Sequence, residues 1–275
     1  MKRILAVALA LALCVGSVWS QTPPRVPRLS QGARVSQFVG LSEVSVTYHR
    51  PGVKGRQIWG NVVKYNEAWR AGANEPTLLT VSDEVTIAGK KIGAGTYRLV
   101  VFPYQTGDWK IILNSEVRNW GSIYDARFDT LTVAVKPEAG PHEEWMTFTF
   151  KDLTPTSVRL ELAWEKVRLY LPMEFNTLAK VQTSVGNWQM LASAAKFAAD
   201  NGMYLTEGLG WADRAIALEK NPRTLQVKAE VLAKMGKTAE AIALGEEAVK
   251  LAKAKDPKAN TGQLDALLNE WKGKK

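Results

Sequence analysis

The sequence predicts an α+β protein with its two kinds of element segregated: an antiparallel β-sandwich or barrel followed by a small α-helical repeat domain. From Ala33 to Pro172 the chain contains short segments rich in β-branched and aromatic residues, bounded by Gly, Pro, Asp or Asn. From Trp188 onward Ala, Leu, Lys and Glu dominate, and the apolar residues recur at helical spacing. The length of 275 residues also suits two domains.

Residues 1–20 are predicted to be a secretory signal peptide. Lys2 and Arg3 form a positive end, and the apolar run over residues 4–15 is too short to span a bilayer comfortably. We therefore expect an exported protein, periplasmic or extracellular, with no transmembrane span after cleavage. The single cysteine, Cys14, lies within this segment, so we expect neither disulfides nor thiolate chemistry in the mature chain.

The β domain is predicted over residues 31–172, after a tether with three prolines at 21–30. Its first clear strand alternates Val44, Val46 and Tyr48 with polar residues, which places the apolar side chains on one face of a sheet. About nine or ten strands are expected, a number typical of a sandwich or barrel. The strands predicted after this first one are residues 77–81, 84–88, 96–102, 109–114, 131–135, 145–150, 158–164 and 167–171.

A linker is predicted at residues 173–185 and a helical region at 186–275. Two stretches of the latter repeat at an offset of about 34 residues, which resembles the tetratricopeptide repeat. About three such repeats are normally needed to bury the apolar faces, so the last helix is expected to cap the second repeat. The residues that match the small positions of that repeat are Ala229, Gly236, Ala241 and Ala248, and the apolar stripe of the last helix is Leu264, Leu267, Leu268 and Trp271.

The best candidate for function is the connection over residues 48–77, which is far longer than a link between two strands requires. It combines four glycines with two tryptophans and three arginines. Guanidinium forks suit carboxylates and phosphates, and indole faces suit stacking. The alternative is that the tryptophans plug one end of the sandwich while the arginines bond to loop carbonyls and acids. The ligand-binding candidates are Arg50, Arg56, Trp59, Trp69, Arg70 and Asn74.

Acid–base chemistry has weaker candidates in the same region. His49, Glu67 and Glu75 flank the connection, and a histidine near a carboxylate can work close to neutral pH. The leading interpretation is nevertheless a non-enzymatic module that binds a small polar ligand or a partner protein. A periplasmic hydrolase-like enzyme that uses His49 with Glu67 or Glu75 is the alternative.

Other classes of function have little support in the sequence. The formal net charge is +9, but the basic residues are scattered, so nucleic-acid binding is not expected. With only two histidines and no nucleotide-binding fingerprint, neither a zinc site nor a cofactor is expected. A calcium ion held by Asp125 and Asp129 is an alternative to two acids in an exposed turn.

Several segments together resemble a bacterial family catalogued as domain of unknown function 2911. They are RPGVKGRQIWG, AWRAGAN and EPT within residues 48–77, then Ala94–Tyr97, Trp109 with its strand, and Trp164 with Glu165. The resemblance covers roughly residues 28–172, and a helical repeat tail is similar to that of longer members. It implies an exported bacterial β domain, and it assigns no activity because that of the family is unassigned.

Overall fold

A computed structural model describes residues 26–117 and 124–273 of the chain. The predicted signal peptide and the first part of the predicted tether lie outside these residues. The strands are β1 (Gln31–Val39), β2 (Ser42–Arg50), β3 (Leu78–Val81), β4 (Val85–Ile87), β5 (Lys90–Ile92), β6 (Gly95–Phe102), β7 (Trp109–Asn114), β8 (Asp129–Val135), β9 (Glu138–Lys151) and β10 (Ser157–Phe175). The α-helices are α1 (Thr177–Ser184), α2 (Trp188–Asn201), α3 (Leu205–Leu218), α4 (Pro222–Lys234), α5 (Thr238–Lys255) and α6 (Gly262–Gly273).

The strands form two antiparallel sheets, and the helices follow them in the chain. One sheet has the order β1-β2-β3-β6-β7-β8 and the other the order β5-β4-β10-β9. A single apolar core, contributed by both sheets, lies between them. The prediction of an α+β protein with segregated elements is therefore confirmed.

The alternation in β2 decides which face of that strand meets the core. Val44, Val46 and Tyr48 are buried in the core, as the period of two predicts. Tyr48 also ties the two sheets together, because its ring packs edge-on against Phe148 of β9 at 4.9 Å. Its hydroxyl accepts a hydrogen bond from the backbone N–H of Phe148 at 3.1 Å.

The last strand is longer than the sequence predicts. Residues 158–164 and 167–171 belong to the single strand β10, which is irregular around Glu165, a residue with a φ of 54°. Pro172 does not end the strand as expected. It lies beyond Arg168, the last residue paired with β9, and before Met173, the first paired with β4, so its missing N–H removes no bond from either ladder.

The predicted linker at 173–185 contains the end of β10 and helix α1, which is fastened to the sandwich. The ammonium group of Lys180 donates to the carbonyl oxygen of Leu41 at 2.8 Å and pairs with Asp83 at 2.6 Å. Burial alone would raise the pKa of Asp83, but the hydrogen bonds from Lys180 and Ser82 outweigh it and hold that pKa below its ordinary value. The carboxylate is therefore a charged anchor for α1.

Helices α2 to α5 pack as successive pairs, and α6 covers the end of the array. A Cβ added to Gly208 of α3 would lie 2.6 Å from the Cβ of Ala198, so only glycine allows α2 and α3 to come this close. Trp271 and Leu268 of α6 are buried against α5, where Gly245 makes room for them. None of the described helices is long and apolar enough to cross a membrane.

Candidate functional site

The connection between β2 and β3 is an ordered loop with its own apolar anchors. Ile58 and Val63 are buried in the sandwich core, and the N–H of Val63 donates to the carbonyl of Ile58 at 2.9 Å. Further along, Trp69 exchanges backbone hydrogen bonds of 2.8 Å with Val101 of β6. Ala71 is fully buried at a φ of 49°, a conformation that costs about 1–2 kcal/mol for a residue with a Cβ. The fold thus fixes this loop against β6.

Four tryptophans cluster where the loop meets the sandwich. The ring of Trp59 lies 5.7 Å from Trp69, 4.8 Å from Trp109 and 5.8 Å from Trp164, while Trp69 stacks on Trp164 at 5.7 Å. The indole N–H of Trp69 donates to the carbonyl of Gly72 at 3.2 Å. Trp59 therefore fills the end of the core, and one face of Trp69 packs against the same cluster.

Three of the ligand-binding candidates bond to main-chain oxygens. Arg50 donates to the carbonyl of Met146 at 2.9 Å and to the hydroxyl of Thr147 at 2.5 Å. Arg56 donates to the carbonyls of Val53 and Gly52, at 3.1 and 2.6 Å. The amide of Asn74 donates to the carbonyl of Ser30 at 2.9 Å and so fastens the end of the tether. These contacts tie the three side chains to the fold, and Arg50 also lines a separate hollow of about 350 Å³.

Of the acid–base candidates, His49 and Glu75 lie together and Glu67 lies elsewhere. The His49 Nε2 is 3.2 Å from a carboxylate oxygen of Glu75. Arg28 donates to both oxygens of the same carboxylate, at 2.5 and 2.6 Å, and this contact is the main reason that the pKa of Glu75 is lowered. Glu67 is exposed on the far part of the loop.

A cleft of about 630 Å³ opens over the outer face of the six-stranded sheet, on the side away from the core. Its floor is the outward-facing row of β6, and the loop forms one wall. Two of the ligand-binding candidates, Trp69 and Arg70, lie here, together with Glu67. The described residues that line the cleft are Asn66, Glu67, Ala68, Trp69, Arg70, Arg98, Val100, Phe102 and Tyr124.

Two arginines that differ in exposure line this cleft. Arg98 of β6 has a relative exposure of only 6%, whereas Arg70 is exposed on the loop. Burial lowers the pKa of Arg98, and the neighbouring charge of Arg70 lowers it further, while Glu116 acts in the opposite direction. Among the described residues the Arg70 guanidinium has no hydrogen-bond acceptor. The cleft therefore has the buried guanidinium of Arg98 in its floor and the exposed guanidinium of Arg70 in its wall.

The second wall contains Tyr124, held by a polar network. The Tyr124 hydroxyl donates to Asp129, and the buried Asn114 amide donates to the other Asp129 oxygen at 2.8 Å. Burial, followed by the bond to Asp129, raises the pKa of Tyr124, so the hydroxyl keeps its proton at neutral pH.

Asp125 and Asp129, the two acids of the alternative calcium site, both accept hydrogen bonds from protein groups. Asp125 accepts from the backbone and guanidinium of Arg127, at 2.6–3.1 Å, and Asp129 accepts from the side chains named above. Within residues 26–117 and 124–273, no group of three or more His, Cys, Asp or Glu is arranged to hold a metal ion.

Sequence reasoning missed Arg98, Phe102 and Tyr124 as lining residues. A signal for the first two was present: in TYRLVVF, Arg98, Val100 and Phe102 share one face, and an arginine in so apolar a strand is unusual. No local pattern singles out Tyr124, because its position depends on contacts with β7 and β8.

The fold and the cleft define the class as a two-sheet antiparallel sandwich with a cationic hollow on one outer face, followed by helices. Residues 30–173, more than half of the chain, match the family model described as Protein of unknown function (DUF2911). The chain belongs to this family, as the sequence resemblance indicated. Searches of curated proteins and of solved structures returned no match.

Proposed function

We propose that the β domain is a non-enzymatic module that binds a small organic anion in the cleft between the loop and β6. The observation that carries this proposal is the convergence of Arg70 and Arg98 on one hollow. A guanidinium as buried as that of Arg98, with a second one beside it, raises the electrostatic potential of the space between them. Glu116 offsets part of the charge of Arg98, so an anion in the cleft gains most from Arg70, which has no hydrogen-bond acceptor among the described residues.

The lining of the cleft narrows the class of ligand. Arginine forks favour carboxylate and phosphate groups, which accept two parallel hydrogen bonds. The rings of Trp69, Phe102 and Tyr124 favour a flat or apolar portion in the same ligand. Asn66 and Glu67 at the loop side suit hydroxyl or amine groups. An organic acid with an apolar body fits this lining better than an inorganic ion.

The test compares two loop arginines that differ in their partners. Arg70→Met removes a cleft guanidinium, whereas Arg56→Met removes one that bonds to loop carbonyls. A panel of aliphatic and aromatic carboxylates and phosphates is screened by thermal shift on the wild-type chain, and hits are measured by calorimetry. A hit at about 100 times its Kd stabilises the fold by about 2.7 kcal/mol.

We expect Arg70→Met to weaken binding of every hit at least tenfold, since a charged hydrogen bond contributes about 1.5–3 kcal/mol. Arg56→Met should leave the affinity unchanged and lower the stability of the free protein. Equal affinity in wild type and Arg70→Met, or loss in Arg56→Met alone, would place the site elsewhere.

A second candidate is the hydrolase-like function, favoured by the 3.2 Å contact between His49 and Glu75. A histidine oriented by a carboxylate is the general-base half of many hydrolytic sites. Here the carboxylate is shared with Arg28, and neither His49 nor Glu75 lines the cleft. Hydrolysis of a panel of ester and phosphoester substrates that His49→Gln abolishes and Arg70→Met spares would establish this function instead.

We further propose that the protein is exported, since a positive end and an apolar run precede the tether. Mass spectrometry of the exported protein is expected to find Gln21 as the first residue. A mature form that retains residues 1–20 would contradict export by cleavage.

For the helical region we propose a tetratricopeptide-like array that binds a partner protein. Support comes from the repeat offset of about 34 residues and from a hollow of about 300 Å³ lined by α2, α4, α6 and the first residue of α5. Crosslinking of the full chain in an extract of exported proteins should lose a specific partner with Lys234→Glu, which alters this hollow. Lys250→Glu, on an exposed face of α5, is the control. Equal crosslinking by both variants would refute the proposal.

A further inference from the structure

We infer that the natural ligand is an elongated organic dianion, whose second acidic group is bound by Lys110 on the neighbouring strand. This inference rests on the proposed function, because it takes the first acidic group to lie at Arg70 and Arg98. It adds the length of the ligand and a second charged contact, and neither follows from the cleft alone.

A second hollow adjoins the cleft on the same outer face. It measures about 180 Å³ and shares Phe102 and Tyr124 with the cleft, so the two hollows are neighbours across this aromatic pair. The two rings are 5.2 Å apart and inclined at 73°. On the outward-facing row, Val100 lines the cleft and Ile112 lines the second hollow, and both are buried without belonging to the sandwich core. A ligand that crosses from one hollow to the other therefore passes over apolar surface.

Among the described residues that line this second hollow, Lys110 is the one cation. Lys110 is exposed there, with its ammonium group 5.7 Å from the ring centre of Tyr104. The acid in the same hollow is Asp129, whose two oxygens accept from Asn114 and Tyr124. Those donors occupy the Asp129 oxygens but leave its negative charge in place, so Lys110 is the described lining group that attracts a ligand anion into this hollow.

The strand register sets the distance between the two charged ends. Phe102 of β6 pairs with Lys110 of β7, and Arg98 lies four residues before Phe102 on the same face. At about 3.4 Å per residue along a strand and about 4.8 Å between strands, the Arg98 and Lys110 Cα atoms are about 14 Å apart. Since both side chains are long, acidic groups about 8–14 Å apart fit the two sites, which corresponds to an unbranched diacid of about eight to twelve carbons.

The probes are decanedioate and its monomethyl ester, which have the same length and differ by one charge. Calorimetry on the full chain is expected to give about tenfold tighter binding for decanedioate, the factor that one charge-assisted contact provides. Lys110→Met should reduce this preference to about one, because it weakens decanedioate more than the monoester. Lys90→Met, an exposed lysine of β5, is the control and should retain the preference. Arg70→Met should weaken both probes.

The outcomes separate this inference from the proposed function. Equal binding of the two probes, or a preference that Lys110→Met does not reduce, overturns the elongated ligand and leaves the anion site intact. Binding of neither probe, together with no hit in the wider panel of acids, refutes the anion site and the elongated ligand together.

Discussion

Arg50→Met tests whether this arginine stabilises the fold, as its contacts indicate. The guanidinium donates to the Met146 carbonyl at 2.9 Å and to the Thr147 hydroxyl at 2.5 Å, which fastens the end of β2 to β9 in the other sheet. A hydrogen bond to a charged group is worth about 1.5–3 kcal/mol, and the half-buried position favours the lower part of that range. Methionine keeps most of the aliphatic packing. We therefore expect a loss of about 2–4 kcal/mol in the free energy of unfolding.

Urea denaturation followed by tryptophan fluorescence measures this loss, and Arg70→Met is the matched control. Arg70 has no hydrogen-bond acceptor among the described residues, so its replacement should change the stability by less than about 0.5 kcal/mol. If Arg50→Met is as stable as wild type, or if Arg70→Met loses as much, the assignment of the two arginines to structure and to binding is wrong.

Three further predictions concern stability. Gly208→Ala should cost about 1–3 kcal/mol because its methyl group meets α2, whereas Gly210→Ala, with open space around it, should stabilise α3 by about 0.5–1 kcal/mol; equal effects in thermal melts would contradict the close crossing. Trp109→Phe should cost about 1 kcal/mol more than Trp164→Phe in urea denaturation, because only the Trp109 indole N–H has an acceptor, at 2.8 Å; the reverse order would refute this. Asp83→Asn should lower the free energy of unfolding by up to about 1 kcal/mol at neutral pH. In the wild type this contribution is present above the ordinary aspartate pKa of about 3.9 and is lost as the pH falls through the lowered folded pKa. A difference between variant and wild type that stays constant down to about pH 2 would contradict the charged pair with α1.

The fold was predictable where a local pattern and the tertiary structure agree. Alternation in β2 identifies the buried face, and the bounds predicted for residues 109–114 coincide with β7. The continuity of β10 was not predictable, because the irregular backbone at Glu165 interrupts the alternation and Pro172 normally indicates the end of a strand. Whether a proline ends a strand depends on which neighbours it pairs with, and that is a property of the sheet.

The candidate site was still less predictable from local sequence than the strands. Arg50 ends β2 and Arg70 lies in the loop that follows, and both belong to the connection predicted over residues 48–77. Nothing in their local sequence separates the first, which bonds to residues 146 and 147, from the second, which lines the cleft. The partners of Arg50 are nearly 100 positions away in the chain. Arg98 comes from a different strand and reaches the cleft because β3 and the loop lie beside β6. Long-range pairing therefore decides the composition of the site.

The most direct measurement of the central claim is a crystal structure of the full chain with decanedioate, or with the tightest acid from the panel. We predict one carboxylate within about 3 Å of the Arg70 guanidinium and beside Arg98, over the outer face of β6. An acid bound instead beside Arg50 or Arg56, or a cleft that holds only solvent while the acid binds in solution, would contradict it.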